Sequence, residues 1–216
     1  MSYFRELPDI DYQSQLSSKN SSLNYVRVKN LFRRVKLRDD LQNVFTLFNK
    51  YQISEGERPD TVAERIYGSS DLDWVVLLSA NIINVRNEWP LSNRDLYRFV
   101  EEKYGLDRMY EIKYYQTTEV KNNNGNLILP AGKVVDSDFT IPNPDNPYIT
   151  LNPVVGVSNY DYEIDKNNQK RSIYILKPQY LQQYLNDIRS IMYYEKSSQY
   201  INTKLIKTEN TLNTSP

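Results

Sequence analysis

The chain has 216 residues with no histidine and no cysteine, so it lacks the side chains behind most nucleophilic triads, the common zinc sites and every disulfide. Its 27 basic residues balance 27 acidic ones, which leaves no global charge to drive binding to nucleic acid or an anionic membrane. Hydrophobic residues at 39% and charged residues at 25% are ordinary for a soluble chain, and the length suffices for one large or two small domains. No stretch approaches the ~20 apolar residues of a membrane span, and the start lacks a basic segment followed by an apolar one, so neither insertion nor a secretory signal is expected.

Tyrosine is the compositional outlier, at 19 residues against 6 phenylalanines. Tyrosine offers large contact area with few rotors and a polar tip, as interfaces favour. A core that prefers Tyr to Phe would give the same count.

Residues 1–44 read as an N-terminal arm and docking segment. Tyr3, Phe4, Leu7, Ile10 and Tyr12 are spread through polar sequence and cannot form a core alone. Their predicted role is to dock onto something else, such as another subunit, with Ser17–Ser22 fraying. Val26 and Val28 alternate, and Leu31, Phe32, Val35, Leu41, Val44, Phe45 and Phe48 follow at roughly helical spacing. Phe45, Leu47, Tyr51 and Ile53 also alternate, which favours a strand from about residue 45. Arg27, Lys29, Arg33, Arg34, Lys36 and Arg38 form a basic run with no acid before Asp39. Such a run can bind phosphate, or it can be a solvated or salt-bridged face. It carries no regular aromatic interleaving for base stacking, so nucleic acid is the weaker reading.

Residues 45–92 read as strand, helix, helix, strand. Gly56 marks a turn, and Pro59 suits a first helical turn, where its missing N–H costs nothing. Val62, Ala63, Ile66 and Tyr67 recur at three and four residues, and Gly68 suits a left-handed terminus. A second short helix carries Leu72, Val75 and Val76 on one side and Trp74, Leu77 and Leu78 on another. It is apolar almost all round, so either a following helix or a partner chain must cover it. Asn81–Asn84 is the expected closing strand. Trp89, beside Pro90, is either a plug over the core, the preferred reading, or an interface anchor.

Residues 93–105 are a predicted packing helix. Ser92 is a good N-cap with Asp95 three residues on, Leu96, Phe99, Val100 and Tyr104 form the stripe, and Gly105 ends it. It is expected to cover the module before it. Residues 106–177 turn to β character with two hairpins. One has Tyr110, Ile112 and Tyr114 going out, a turn at Asn122–Asn126 and a return through Leu127–Leu129. The other has Tyr160, Tyr162 and Ile164, a turn at Lys166–Gln169, then Ile173 and Ile175. Pro142, Pro144 and Pro147 mark an extended linker or loop near 142–148 between them. Residues 178–195 form a C-terminal helix with Tyr180, Leu181, Tyr184, Leu185, Ile188 and Ile191 or Met192 on its apolar face, and 196–216 is a loose polar tail.

No catalytic constellation emerges. Asp71 and Asp73 are explained by a helix dipole, and the adjacent Glu101 and Glu102 point in different directions on a helix. Only 6 glycines occur and none forms a phosphate loop. The reading is non-enzymatic, without cofactor, metal or small-molecule substrate.

Gly-Glu-x-Pro-x-x-Val-Ala-x-x-Ile-Tyr-Gly at 56–68, a Leu-rich helix and Asn-x-Ile at 81–83 resemble a LysM-like βααβ module. The longer set of Glu55–Asp60, Ile66–Gly68, Trp74–Leu78 and Glu88–Ser92 resembles the small baseplate wedge subunit of contractile-tailed bacteriophages, which carries such a domain. Leu31–Lys36, with Tyr3, Phe4 and Pro8, is similar to the N-terminal region of that family. The resemblance covers roughly residues 1–105 and implies a LysM-like module; with the added helix, the hairpin-rich C-terminal region and the terminal helix read from the residues themselves, the expected class is α+β. It implies a virion component, assembled in the host cytoplasm, that joins wedge proteins and neighbouring wedges in several copies of a symmetric assembly. The candidate interface residues are Tyr3, Phe4, Leu7, Arg33, Arg34, Trp74, Leu78 and Trp89. The alternative is a peptidoglycan-binding LysM-type module, with sugar loops near Gly56–Asp60 and Asn81–Val85.

Overall fold

The computed structural model describes residues 2–13, 25–36 and 46–208. In chain order its elements are α1 (Tyr3–Glu6), β1 (Asp9–Gln13), β2 (Tyr25–Lys29), β3 (Phe48–Gln52), α2 (Pro59–Tyr67), α3 (Asp73–Ser79), α4 (Val85–Glu88) and α5 (Asn93–Tyr104). There follow β4 (Ile112–Thr117), β5 (Val120–Lys121), β6 (Leu127–Leu129), β7 (Val134–Val135), β8 (Ile141–Asn143), β9 (Asn146–Leu151), β10 (Val154–Ser158), α6 (Asn159–Lys170), β11 (Ser172–Leu176), α7 (Leu181–Met192), β12 (Tyr200–Asn202) and β13 (Leu205–Lys207). The class is α+β. The chain divides into two compact units: Met1–Ile53 with Glu57–Glu88 and Ile173–Pro216, and Ser54–Gly56 with Trp89–Ser172.

In the first unit, β12, β13, β1 and β2 form a sheet in that order. β1 and β2 pair antiparallel from Asp9↔Lys29 to Gln13↔Tyr25, while β1 and β13 run parallel from Asp9↔Leu205. The expected free arm is therefore partly a strand of its own chain. The expected loose tail is corrected as well: its part up to residue 208 supplies β12 and β13, because Leu205 is buried and an open strand edge of β1 receives it. Ser17–Ser22, Leu41, Val44 and Phe45 lie outside the described residues. α2 forms as predicted. Pro59 opens it, Thr61 Oγ1 accepts the Arg58 N–H at 3.0 Å, and Gly68 closes it at φ +74°. α2 packs on α3, burying Val62 and Ala63 on one side and Trp74, Val75 and Val76 on the other.

The closing strand predicted for 81–84 does not form. Asn81 is left-handed at φ +56°, and Ile82 N–H returns to Leu77 O at 2.8 Å. The Glu88 carboxylate then accepts the N–H groups of Ile83 (2.6 Å) and Asn84 (3.1 Å), which turns the chain into α4. The strand that pairs with β3 is instead β11. α7 buries Leu185, Ile188 and Met192, so Met192 and not Ile191 completes the stripe.

In the second unit, α5 is capped as expected, with Ser92 Oγ accepting the Asp95 N–H at 3.2 Å. Its buried face meets a different neighbour from the one predicted. Leu96 and Val100 cluster with Met109, and Leu91, Tyr104, Tyr160 and Ile164 pack around them. Tyr160 and Ile164 belong to α6, which stands where a second hairpin was expected. Ser158 and Asp161 explain the difference: Ser158 Oγ accepts the Asp161 N–H at 3.1 Å, and Asp161 Oδ2 accepts the Ser158 N–H at 3.3 Å. That reciprocal cap starts a helix whose buried Glu163 and Asn167 are four residues apart. Asn167 closes two bonds with the Leu91 backbone, at 2.8 and 2.9 Å.

β10, β4 and β7 form an antiparallel sheet. The Asn122–Asn126 turn forms, but it joins β5 to β6, and Tyr110 lies before β4. The proline-rich stretch is not a linker. β8 and β9 make a hairpin through it, with Pro142 opposite Thr150. Among the described residues this sheet has two strands, so each strand is an edge, the place where a proline is tolerated.

Candidate assembly interface

In the first unit, a rigid turn follows β2. Asn30 is buried; its backbone N–H donates to Pro8 O at 2.9 Å and its side-chain Nδ2 to Tyr194 Oη at 2.8 Å. Its Oδ1 accepts the Phe32 N–H at 3.1 Å, bending the chain so that Leu31 and Phe32 point outward. Phe32 is 97% exposed, Leu31 66%. Arg33 fixes the other side of the turn. It donates to Ile191 O (2.8 Å) and Tyr193 O (2.9 Å), carbonyls at and just after the end of α7, and lies 5.1 Å from the centroid of the Tyr194 ring. Val35 is buried beyond it. A large apolar side chain is thus presented to solvent from a hydrogen-bonded base.

The basic run is largely consumed within this unit. Arg27 pairs with Asp11 at 3.0 Å, Lys29 with Asp9 at 2.8 Å, and Arg33 with the carbonyls just named. Arg34 is exposed, and Arg38 lies outside the described residues. The salt-bridged reading of that face holds for these positions, and no phosphate cradle is formed by them.

The other sequence candidates separate into buried and exposed. Leu7 is 2% exposed, so it is a core residue of the chain itself and not a contact for another subunit. Tyr3 packs on Trp74 with ring centroids 5.6 Å apart, and Trp74 is buried. Phe4 is exposed beside Tyr3, and Leu78 is half-buried. Trp89, in the second unit, is buried together with Pro90, as the plug reading requires. The segment holding Leu7 is anchored by Glu6, whose carboxylate takes a two-pronged bond from Arg189 at 2.7 and 2.9 Å. That bond holds Glu6 below the usual carboxylate range against the opposing effect of burial.

In the second unit two hairpins carry exposed apolar groups. Leu127 and Ile128 on β6, and Tyr148 and Ile149 on β9, are all exposed, Tyr148 to 98%. The two hairpins are tied at their tips, where Asn123 N–H donates to Asp145 Oδ1 at 3.0 Å. A two-stranded hairpin has little stability of its own in water, so a pair presenting apolar residues outward is suited to being covered. Phe32 and Tyr148 escaped the candidate set. Its spacing places Phe32 in a helical series, and the prolines place Tyr148 in a linker or loop. The available signals are Asn30, an Asx-turn former directly before Leu31-Phe32, and Tyr148-Ile149, separated by two residues from the Pro144–Asp145 turn.

Among the described residues no group of three or more acidic side chains is placed to hold a metal ion, and no helix is long and apolar enough to cross a membrane.

Residues 3–191 match base plate wedge protein 53, and the chain belongs to that family of phage baseplate wedge subunits. It is a structural protein of the virion, located in the tail baseplate, where its partners are other baseplate components. Membership of a structural family speaks for a non-enzymatic role. No curated protein matches the chain.

Proposed function

We propose that the protein joins wedge proteins and neighbouring wedges by presenting separate apolar contact points on its two units, each seated in a different neighbour. The observation that carries this reading is the Leu31–Phe32 turn, held by Asn30 and Arg33 with Phe32 97% exposed. Burying a phenylalanine side chain contributes about 2–3 kcal/mol, and a pre-ordered base spares the partner the cost of ordering it. The tied hairpins around Leu127 and Tyr148 supply a second contact point on the other unit. Several modest contacts on one chain act at high effective concentration, so a ring can be firm while each single contact remains breakable during contraction.

The loops that a sugar-binding module would use hold polar groups already engaged. Glu57 takes Arg65 at 2.8 Å and Tyr51 Oη at 2.8 Å, and Asn84 N–H is held by Glu88. No observation favours the sugar reading over assembly. The test is reconstitution: the full chain is mixed with each other baseplate protein of the same phage, and complex mass is read by size-exclusion chromatography with light scattering. A stable complex protecting Phe32 and Tyr148 from surface labelling is expected. A chain that stays alone beside every component would sink the proposal.

A further inference from the structure

Three lysines gather on one side of the second unit around two tyrosines. Lys113 Nζ lies 4.5 Å from the centroid of the Tyr162 ring and 5.5 Å from that of Tyr104. Lys166 Nζ lies 4.4 Å from the Tyr162 centroid, and Lys103 Nζ lies 5.1 Å from the Tyr104 centroid. They come from three elements, α5, β4 and α6, so the cluster is made by the fold and not by a sequence run. Among the described residues one carboxylate forms a salt bridge with it. Glu163, buried, accepts Lys103 Nζ at 2.7 Å and Tyr104 Oη at 2.9 Å. Among the described residues neither Lys113 nor Lys166 has a salt-bridge partner, and all three lysines are exposed.

Concentrating like charge is unfavourable unless a counter-charge relieves it, and this chain has zero formal charge overall. The aromatic faces hold the ammonium groups in place but do not neutralise them. We propose that this Lys103–Lys113–Lys166 cluster is a docking site for an acidic polypeptide segment of a neighbouring baseplate protein. The proposal rests on the assembly reading above for the source of that segment. Peptide carboxylates fit better than a nucleic acid for two reasons. The surplus charge is local, whereas phosphate backbones call for an extended basic track. The tyrosine faces that would stack on bases are already occupied by the ammonium groups.

The test uses the full chain and the double variant Lys113→Glu/Lys166→Glu. Both positions are exposed and outside the Glu163 pair, so the variant is expected to fold, which far-UV circular dichroism and melting temperature verify. A labelled polyglutamate peptide is titrated into each protein by fluorescence anisotropy, with a single-stranded oligonucleotide of equal charge as the alternative probe. Salt-sensitive polyglutamate binding, weakened roughly tenfold or more in the variant, is the expected result. Lys113→Arg/Lys166→Arg should restore it. Equal binding by wild type and variant, or preferential binding of the oligonucleotide, would overturn the assignment. Reconstitution with the other baseplate proteins separates the two claims. Wild-type assembly with an unimpaired double variant refutes the acidic dock alone, whereas no wild-type assembly refutes the broader reading.

Discussion

Replacing Phe32 and replacing Asn30 should have opposite consequences, because one residue is displayed by the turn and the other holds it. Phe32 is 97% exposed, so Phe32→Ala removes almost no contact from the free chain, and its unfolding free energy should move by less than about 0.5 kcal/mol. With Phe32 seated in a wedge partner as proposed, the same change should cost the assembled wedge about 2 kcal/mol, or roughly 30-fold in affinity. Asn30→Ala deletes the bond to Tyr194 Oη at 2.8 Å and the acceptor of the Phe32 N–H at 3.1 Å. Tyr194 is itself buried, so its hydroxyl loses that partner away from water, and the free chain should lose about 1–3 kcal/mol. Urea unfolding followed by tryptophan emission reports the first quantity for both variants, with Trp74 in one unit and Trp89 in the other. Calorimetric titration into the partner wedge proteins reports the second. The reasoning fails if Phe32→Ala destabilises the free chain by 2 kcal/mol or more, or if it leaves wedge affinity unchanged.

Burial alone would push the Glu163 carboxyl up, but the bonds from Lys103 and Tyr104 bring it below the usual carboxylate range. A depressed folded-state value means that its stabilisation is present above about pH 4.5 and is lost as pH falls through the lower folded value. Acid melting curves should show that loss in wild type and less of it in Glu163→Gln, which at neutral pH should cost about 1 kcal/mol because Lys103 is partly solvated. Glu55→Ala removes the carboxylate that receives both the Asn93 N–H and the Arg171 guanidinium. Arg171 is largely enclosed, so hydrogen exchange across α6 should rise, and unaltered protection there would contradict this anchoring role. Gly68→Ala places a Cβ at φ +74° with nothing within 4 Å, so only backbone strain acts, and a loss of about 1 kcal/mol in thermal unfolding is expected.

Local signals in the sequence carried much of the helical part of the fold. Pro59 and Gly68 bracket α2, Ser92 and Gly105 bracket α5, and the three-and-four spacing of Leu185, Ile188 and Met192 describes α7. α6 was legible too, through Ser158 and Asp161, but the alternation of Tyr160, Tyr162 and Ile164 competed with that cap. The cap decided the outcome, since Tyr160 and Ile164 share the face that meets Val100 and Met109. Strand partners were beyond local reading. Nothing near β3 announces that β11 completes its sheet, and a polar tail hides β13 until β1 offers it an edge. The candidate site was read in the same mixed way. Arg33 was found, but as a charge and not as the clamp of a turn, and Leu7 and Trp74 were marked for their apolarity when the core had already claimed them.

The pairing of distant strands also has a consequence for synthesis. β3 must wait for β11, β1 for β13, and the Phe32 turn for Tyr193 and Tyr194, all of which leave the ribosome late. Residues 89–172 are complete before any of these arrive, so the second unit can close early while the first remains open. A chain interrupted before residue 191 would lack the clamp that orders the turn. On the proposed assembly reading, a subunit lacking Tyr193 and Tyr194 should therefore compete poorly for its partners, because the Phe32 contact depends on residues placed far along the chain from it.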